Sequence, residues 1–275
     1  MSLVSVEKVS FAYKKGSSAL TNISFTLERG EHIALIGPNG SGKSTLFNLL
    51  AGFTRANTGS VSFAERDLRA YSPPERAKHI ALVPQGARLN FPYTCLETVL
   101  MGLHPYHRYM QTESDQALQS AQGLMEQTEV WHLAAQWVTA ISGGELQRVL
   151  LARALLQLFP QGVTGAGTDP PYRRLLLLDE AFSSLDIAAR ISMMKLLNTL
   201  TTGYGLSIIA IHHDIPIAFG FTQRILALRK GSLVADGKPD AVGNEAFFAR
   251  VFSVQVEIIP GKGFFFVDTR PQGAP

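Results

Sequence analysis

Residues 3–13 and 20–27 alternate apolar and polar side chains on either side of Lys14-Lys15-Gly16-Ser17. A period of two describes strands with one buried face, so the chain opens with two strands of a half-exposed antiparallel sheet. A different pattern follows: the unbroken apolar run 32–36, a glycine-rich stretch, then residues 46–51 at helical spacing with Gly52 as the stop. Residues 59–63 read as a short strand, 73–78 as a short helix begun by prolines, and 79–84 as an apolar strand ending at Gln85.

From Gly86 the character changes. Residues 95–101 and 111–127 carry helical patterns with polar faces, describing a mostly helical insertion that ends near Ser142. Residues 145–159 then predict a strong helix whose apolar side holds Leu146, Val149, Leu150, Leu155 and Leu156, and 160–174 a long Gly- and Pro-containing loop. The run Leu175-Leu176-Leu177-Leu178 has no polar side, as expected of a strand covered on both faces, and stops at Asp179-Glu180. A helix over 186–200 and a second buried strand over 206–211, ending at His212-His213-Asp214, complete the alternation of strands with helices. That alternation predicts an α/β core with a largely parallel sheet. A hairpin over 225–228 and 232–235 and an amphipathic helix over 244–252 follow, and Phe264-Phe265-Phe266 is an edge-strand candidate in a tail with disordered ends.

The glycine-rich stretch is Gly37-Pro38-Asn39-Gly40-Ser41-Gly42-Lys43-Ser44-Thr45, which fits G-x-x-x-x-G-K-S/T between a strand and a helix. Its glycines let consecutive backbone N–H groups face one anion, and the following helix adds the positive end of its dipole. Lys43 would reach the β and γ phosphates of a nucleotide, Ser44 would ligate Mg²⁺, and Thr45 would add a phosphate contact. Composition leaves this reading intact. At 275 residues, 46% hydrophobic, 17% charged and a net charge of +3, the chain is globular, and with no dense basic cluster no nucleic-acid partner is expected. The single cysteine, Cys95, excludes an internal disulfide framework and reads as a small buried hydrophobe. Neither a signal peptide nor a membrane span is visible, so a cytoplasmic protein is expected, with any membrane contact made through a partner.

Functional groups of open parallel sheets gather at the carboxyl ends of strands, where the phosphate loop, Gln85, Asp179-Glu180 and His212-His213 all fall. Asp179 would bind Mg²⁺ and Glu180 would orient or deprotonate an attacking water; a solvated strand end is the plainer alternative. Ser142-Gly143-Gly144-Glu145 places a hydroxyl and two glycines at a helix N-terminus, either a second phosphate-binding element or a simple cap. Tyr13 either stacks on an adenine ring or packs on its sheet.

The order phosphate loop, glutamine, Ser-Gly-Gly-Glu, Asp-Glu, Ser184-Leu185-Asp186 and His213-Asp214 resembles the ATP-binding cassette (ABC) ATPases over roughly residues 4–256. The resemblance implies a P-loop NTPase fold with an N-terminal antiparallel β subdomain and an inserted helical subdomain. One ABC domain is expected over 1–260, its core at 1–86 and 146–260, its helical subdomain at 87–145, and a tail at 261–275. It implies ATP and Mg²⁺, and a head-to-tail homodimer in which each ATP lies between one copy's residues Gly37 to Thr45 and the other copy's Ser142, Gly143, Gly144 and Glu145. Tyr13 matches the adenine-stacking aromatic, Gln85 the glutamine linking Mg²⁺ to the helical subdomain, Asp179 the magnesium aspartate and Glu180 the catalytic glutamate. Asp186 matches the dimer-contact aspartate and His213, followed by Asp214, the γ-phosphate histidine; His212 is left to packing.

Departures from the family pattern are Ile141 in place of leucine, Ala181 in place of the usual proline, and Ser183-Ser184 in place of a frequent Thr-Ser, none of which removes a group that touches ATP. The region from Phe91-Pro92-Tyr93-Thr94 to Met101-Gly102 is similar to importers of metal chelates, and the loop between Phe159 and Leu175 most resembles haem importers, ahead of siderophore or cobalamin importers. Partners implied are a transmembrane permease dimer, docked around residues 85–101 at the cytoplasmic face of the membrane, and a periplasmic or extracellular binding protein. A non-transport ABC ATPase or regulatory module is the alternative; translation ATPases with two cassettes and chromosome ATPases with a coiled-coil insert do not fit this chain, and a phosphate-loop kinase would lack the Ser-Gly-Gly turn.

Overall fold

A computed structural model describes residues 2–14, 17–86, 91–106, 114–163, 173–259 and 263–266. The expected Lys15-Gly16 turn, the first residues of the 111–127 helix, the middle of the 160–174 loop and the end of the tail lie outside these residues.

The alternating N-terminal pattern forms β1 (Ser2–Lys14) and β2 (Ser17–Glu28), which pair antiparallel, with β4 (Thr58–Phe63) and the two-residue β5 (Arg66–Asp67) completing a sheet of order β2-β1-β4-β5. The apolar runs form a second sheet. It holds β3 (His32–Ile36), β6 (Ile80–Val83), β7 (Leu175–Asp179), β8 (Ser207–Ile211), β9 (Arg224–Arg229) and β10 (Ser232–Gly237) in the order β10-β9-β3-β8-β7-β6. All of its pairings are parallel except the β9–β10 hairpin.

The leucine run of β7 explains the layering, because successive side chains of a strand point to opposite faces. Leu175 and Leu177 join Ile209 and Ile211 of β8 in a core shared with the N-terminal sheet and with α1 (Lys43–Leu50). Leu176 and Leu178 face the other way, into a core with α5 (Gly143–Leu158) and α6 (Ile187–Tyr204). A strand buried on both sides can carry no polar residue until it reaches the sheet edge. There the run ends, at Asp179.

The helical insertion is present as α3 (Cys95–Leu100) and α4 (Asp115–Gln127), preceded in the chain by the short α2 (Pro73–Ala77). Cys95, Val99 and Leu124 share a continuous core with Val149 and Leu155 of α5. One helix thus serves both layers, and the boundary expected at 145/146 falls inside its first turn.

Two short helices carry no clear pattern in the sequence: α7 (Ile215–Phe221) and α8 (Pro239–Val242). With α9 (Glu245–Phe252), α7 covers β3 and β9 through Ala218, Phe247 and Phe248 against Ile36 and Ala227. The 264–266 edge-strand candidate is β12 (Gly263–Phe266), paired antiparallel with β11 (Val256–Ile259); the expected tail boundary at 260/261 lies outside the described residues. Among the described residues no helix is long and apolar enough to cross a membrane.

Candidate functional site

The glycine-rich loop leaves β3 at Ile36 and enters α1 at Lys43. At Gly37 the backbone φ is +145° and an added Cβ would lie 2.1 Å from the Leu228 carbonyl oxygen, so no side chain fits. Gly42, at φ +105°, caps α1 with no side-chain hydrogen bond, leaving the first N–H groups of the helix free for an anion. Lys43 is buried, and its ammonium donates to the carbonyl oxygens of Gly37 (2.9 Å) and Pro38 (3.1 Å). Burial lowers its pKa, while the carboxylates of Glu180 and Asp179 act in the opposite direction. Ser41 Oγ is buried without a partner among the described residues, Ser44, which follows Lys43, is exposed, and Tyr13 donates to or accepts from Thr45 Oγ1 at 3.1 Å. Tyr13 also meets Phe11 edge-on at 4.9 Å yet is 63% exposed, so it makes the sheet contact and still offers a ring face to solvent.

Strands β7 and β8 lie side by side, with Asp179 opposite Ile211, and this register carries Glu180 and His213 to the same edge. Glu180 Oε1 meets His213 Nε2, and Glu180 Oε2 accepts from Gln85 Nε2. Glu180 sits at φ +49°, a conformation a non-glycine residue holds only when its surroundings impose it. Asp179 Oδ1 is buried with no hydrogen-bond partner among the described residues, and burial, with the neighbouring Glu180 carboxylate, raises its pKa. The free Asp179 Oδ1, the exposed Ser44 hydroxyl and the amide oxygen of Gln85 are oxygen donors, the kind that Mg²⁺ takes when it completes its shell with phosphate and water. Among the described residues no group of three His, Cys, Asp or Glu side chains forms a closed metal cage.

Ser142 caps α5 in a reciprocal arrangement: Glu145 N–H donates to Ser142 Oγ (3.3 Å), and Ser142 N–H donates to Glu145 Oε2 (2.8 Å). The Ser142 hydroxyl also donates to Glu145 Oε2 (2.7 Å), and with the Ser142 N–H it holds the Glu145 carboxyl below its ordinary range. The cap reading is therefore present, and Gly143 and Gly144 keep their own backbone groups at the start of the helix. Gly144 packs so closely that an added Cβ would lie 3.2 Å from both Leu185 Cδ2 and the Ser184 carbonyl. Ser184 Oγ donates to Gln147 Oε1 (2.7 Å), tying this turn to the segment that follows Glu180. Asp186 is exposed and caps α6, accepting from Ala189 N–H at 2.8 Å.

The structure brings Lys43, Gln85, Asp179, Glu180 and His213 to one edge of the parallel sheet; Ser142 to Glu145 and Asp186 form a second, adjoining group joined through Ser184. His212, left to packing in the sequence, is buried with its ring 6.5 Å from that of His32; sequence reasoning missed His32, although a histidine opening an apolar run was a visible signal. Burial pushes the pKa of His32 down to about 4 and that of His212 to about 3, so both are neutral packing groups at pH 7. It also missed the Arg190–Asp214 ion pair (2.7 Å), which fastens α6 to the histidine turn.

Residues 20–160 match the ABC transporter family. The chain is 38% identical over 245 residues to a hemin import ATP-binding protein HmuV of Rhodopseudomonas palustris (strain BisB5), covering 88% of each. It is 35% identical to the protein of the same name from Myxococcus xanthus, covering 86% of this chain and 85% of the relative. Among solved structures, a metal-chelate type ABC transporter in an inward-facing conformation aligns over 97% of each chain with a TM-score of 0.77 at 26% identity. A dimeric bacterial ABC transporter cassette aligns over 86% of this chain and 98% of its own, with a TM-score of 0.73 at 27% identity. A phosphate cradle, a Ser-Gly-Gly turn and a glutamate held between Gln85 and His213 are thus accompanied by family-wide likeness, and the chain belongs to the ABC transporter family as one of its ATP-hydrolysing subunits.

Proposed function

We propose that the chain powers a membrane importer of haem, working as a homodimer with Mg²⁺ and with each ATP held between the phosphate loop of one copy and the Ser142-Gly143-Gly144 turn of the other. The observation that carries the catalytic part is the Glu180 carboxylate between Gln85 and His213, at the strand ends beside Lys43. Lys43 exchanges its carbonyl contacts for β and γ phosphate oxygens as the loop amides close on them. Ser44, Asp179 and Gln85 would hold Mg²⁺, which when bound would supply charge neutralisation to the phosphates. Glu180 orients the attacking water and takes its proton; His213 holds the γ phosphate and fixes the carboxylate's second oxygen. Tyr13 stacks on the adenine.

The second copy's Ser142 turn and Asp186 complete the site, a reading supported by the likeness to a dimeric cassette. The permease is read to dock on a groove of about 580 Å³ between α2, β6, α5 and the residues that follow α1, with Ile80, Leu82, Leu150 and Ala154 along it and Phe53, 67% exposed, at its rim. That groove runs to Pro84, next to Gln85, so ATP contact at Gln85 and permease contact are one residue apart. Phe91 and Tyr93, in the segment first expected to form the patch, are exposed as well. The permease thereby links the chain peripherally to the cytoplasmic face of the membrane, and a binding protein outside delivers the cargo. Haem is favoured over siderophores and cobalamin by the relatives named for hemin import. ATP-dependent uptake of haem into vesicles holding the cognate permease and binding protein tests the reading; vesicles that take up cobalamin but not haem would reject the cargo.

A further inference from the structure

Helix α4 ends at Thr128 in a Schellman motif: Glu129 N–H donates to the Glu126 carbonyl (3.0 Å), Val130 N–H donates to the Met125 carbonyl (2.8 Å), and Val130 and Met125 are buried together in the core. The residue after the cap must then turn left-handed, which glycine does without a Cβ penalty. Gly52 after α1 and Gly205 after α6 follow that rule, at φ +70° and +63°. After α4 the position holds Glu129, at φ +59°.

A strained conformation at a residue where glycine would suit better points to what the side chain does. Glu129 Oε2 accepts from Arg148 Nη1 (3.2 Å), and Oε1 accepts from Ser192 Oγ (2.5 Å); Arg148 Nη1 also reaches the Glu129 carbonyl (3.4 Å). The carboxylate is half exposed, where an ion pair adds little, so stability alone gives small reason to prefer glutamate to glycine. The bonds act mechanically. Glu129 belongs to the helical insertion, Ser192 to α6 of the core, and Arg148 to α5, three residues beyond Glu145 of the Ser142 turn. One carboxylate thus fastens three elements, about 9 Å along the α5 axis from Ser142. The bond from Ser184 to Gln147 is a second tie, made by the neighbouring residue of α5.

We propose that Glu129 is a positioning residue for the half-site that this chain offers to a second copy. By holding the first turns of α5 against α6, it keeps Ser142, Gly143 and Gly144 in the one orientation that meets the partner's ATP. The role rests on the sandwich reading above. With the tie lost, the insertion and its turn sample other orientations, and the apparent affinity of one copy for the other falls with the fraction of competent turns. The chain's own cradle, which Glu129 does not touch, keeps its affinity for nucleotide.

The test begins with the full-length Glu180→Gln protein and MgATP. Adding Glu129→Gly removes the tie and relieves the strain together. The unfolding midpoint is therefore expected to stay within about 3 °C, while the ATP-driven dimer weakens by about fivefold or more in light scattering. Binding of a fluorescent ATP analogue by the monomer should change by less than about twofold. Ser192→Ala, which removes only the core-side donor and suits a helix better than serine, should weaken the dimer in the same direction. Glu129→Gln, which keeps an acceptor for Ser192, should fall between Glu129→Gly and the parent.

A second arm finds which copy needs Glu129. Lys43→Ala and Ser142→Arg proteins, mixed, form one complete site with its turn from the first and its cradle from the second. Placed in the Lys43→Ala copy, Glu129→Gly should cut the restored turnover by about fivefold; placed in the Ser142→Arg copy, it should cost less than about twofold. Equal losses in the two placements, no loss in either, a Ser192→Ala dimer as tight as the parent, or an unfolding midpoint lowered by about 10 °C or more overturns the inference and leaves the tie a structural one. A mixture already silent without Glu129→Gly removes the sandwich reading instead, and this role with it.

Discussion

Glu180 and His213, thirty-three positions apart in the chain, meet through Oε1 and Nε2 because β7 and β8 are neighbours in one parallel sheet. Replacing Glu180 by Gln keeps the shape and removes the base. Turnover of ATP is expected to fall by about 10²- to 10⁴-fold with nucleotide affinity retained, read by phosphate release and by nucleotide binding. Hydrolysis at the parental rate would remove Glu180 from the role given to it.

Ser142 separates a cap from a ligand. Ser142→Ala removes the side-chain half of the reciprocal cap and should cost about 1 kcal/mol of stability in a denaturant titration. If Ser142 acts only as a cap, the folded variant hydrolyses ATP normally. The account predicts instead slowed turnover and weaker ATP-driven dimerisation, with monomer affinity for ATP unchanged.

Gly37 has no room for a side chain. Gly37→Ala forces a Cβ onto the Leu228 carbonyl at an unfavourable φ and should cost at least about 2 kcal/mol in thermal or chemical unfolding, besides distorting the cradle. Gly40, with nothing within 4 Å of an added Cβ, should lose less when changed to Ala, although its φ of +74° still carries strain.

The pair His32 and His212 makes stability depend on acid. Burial lowers both pKa values in the folded chain, to about 4 and about 3, so the unfolded chain binds more protons between those values and about 6.5. Their contribution is complete above about pH 6.5 and is lost as the pH falls towards 4, on the order of 2 kcal/mol per histidine by pH 5. Unfolding free energy measured from pH 7 to 5 should show this slope, and His32→Gln should reduce it by about 1 kcal/mol per pH unit over that range. An unchanged slope would mean that carboxylates alone set the acid limit.

The layered fold was legible because strand burial leaves a plain mark: the leucine run of β7 could only be a strand covered on both faces, and it named Asp179-Glu180 by where it stopped. The cradle was equally legible, its residue types being dictated by backbone approach to an anion. Helix α7 was not, since seven residues that include Pro216 and Gly220 offer no periodicity to read. Nor was the positive φ of Glu180, or the cavity behind it, because both arise from how α6, α7 and two strands meet rather than from any local pattern. Ser142 shows a third case: sequence named the turn, but the same atoms serve as a helix cap, and only function separates the two roles.

The central claim is that each ATP site is built from two copies of the chain, and mixing two inactive variants tests it most directly. One variant carries Lys43→Ala and the other Ser142→Arg; each homodimer then has two defective sites. A mixed dimer pairs the intact phosphate loop of the Ser142→Arg copy with the intact turn of the Lys43→Ala copy, giving one complete site. The account predicts that each protein alone is inactive and that an equimolar mixture regains ATP turnover, up to about a quarter of the unsubstituted rate if copies pair at random. A mixture as silent as its components, or a Ser142→Arg protein that hydrolyses ATP at the parental rate by itself, would contradict it.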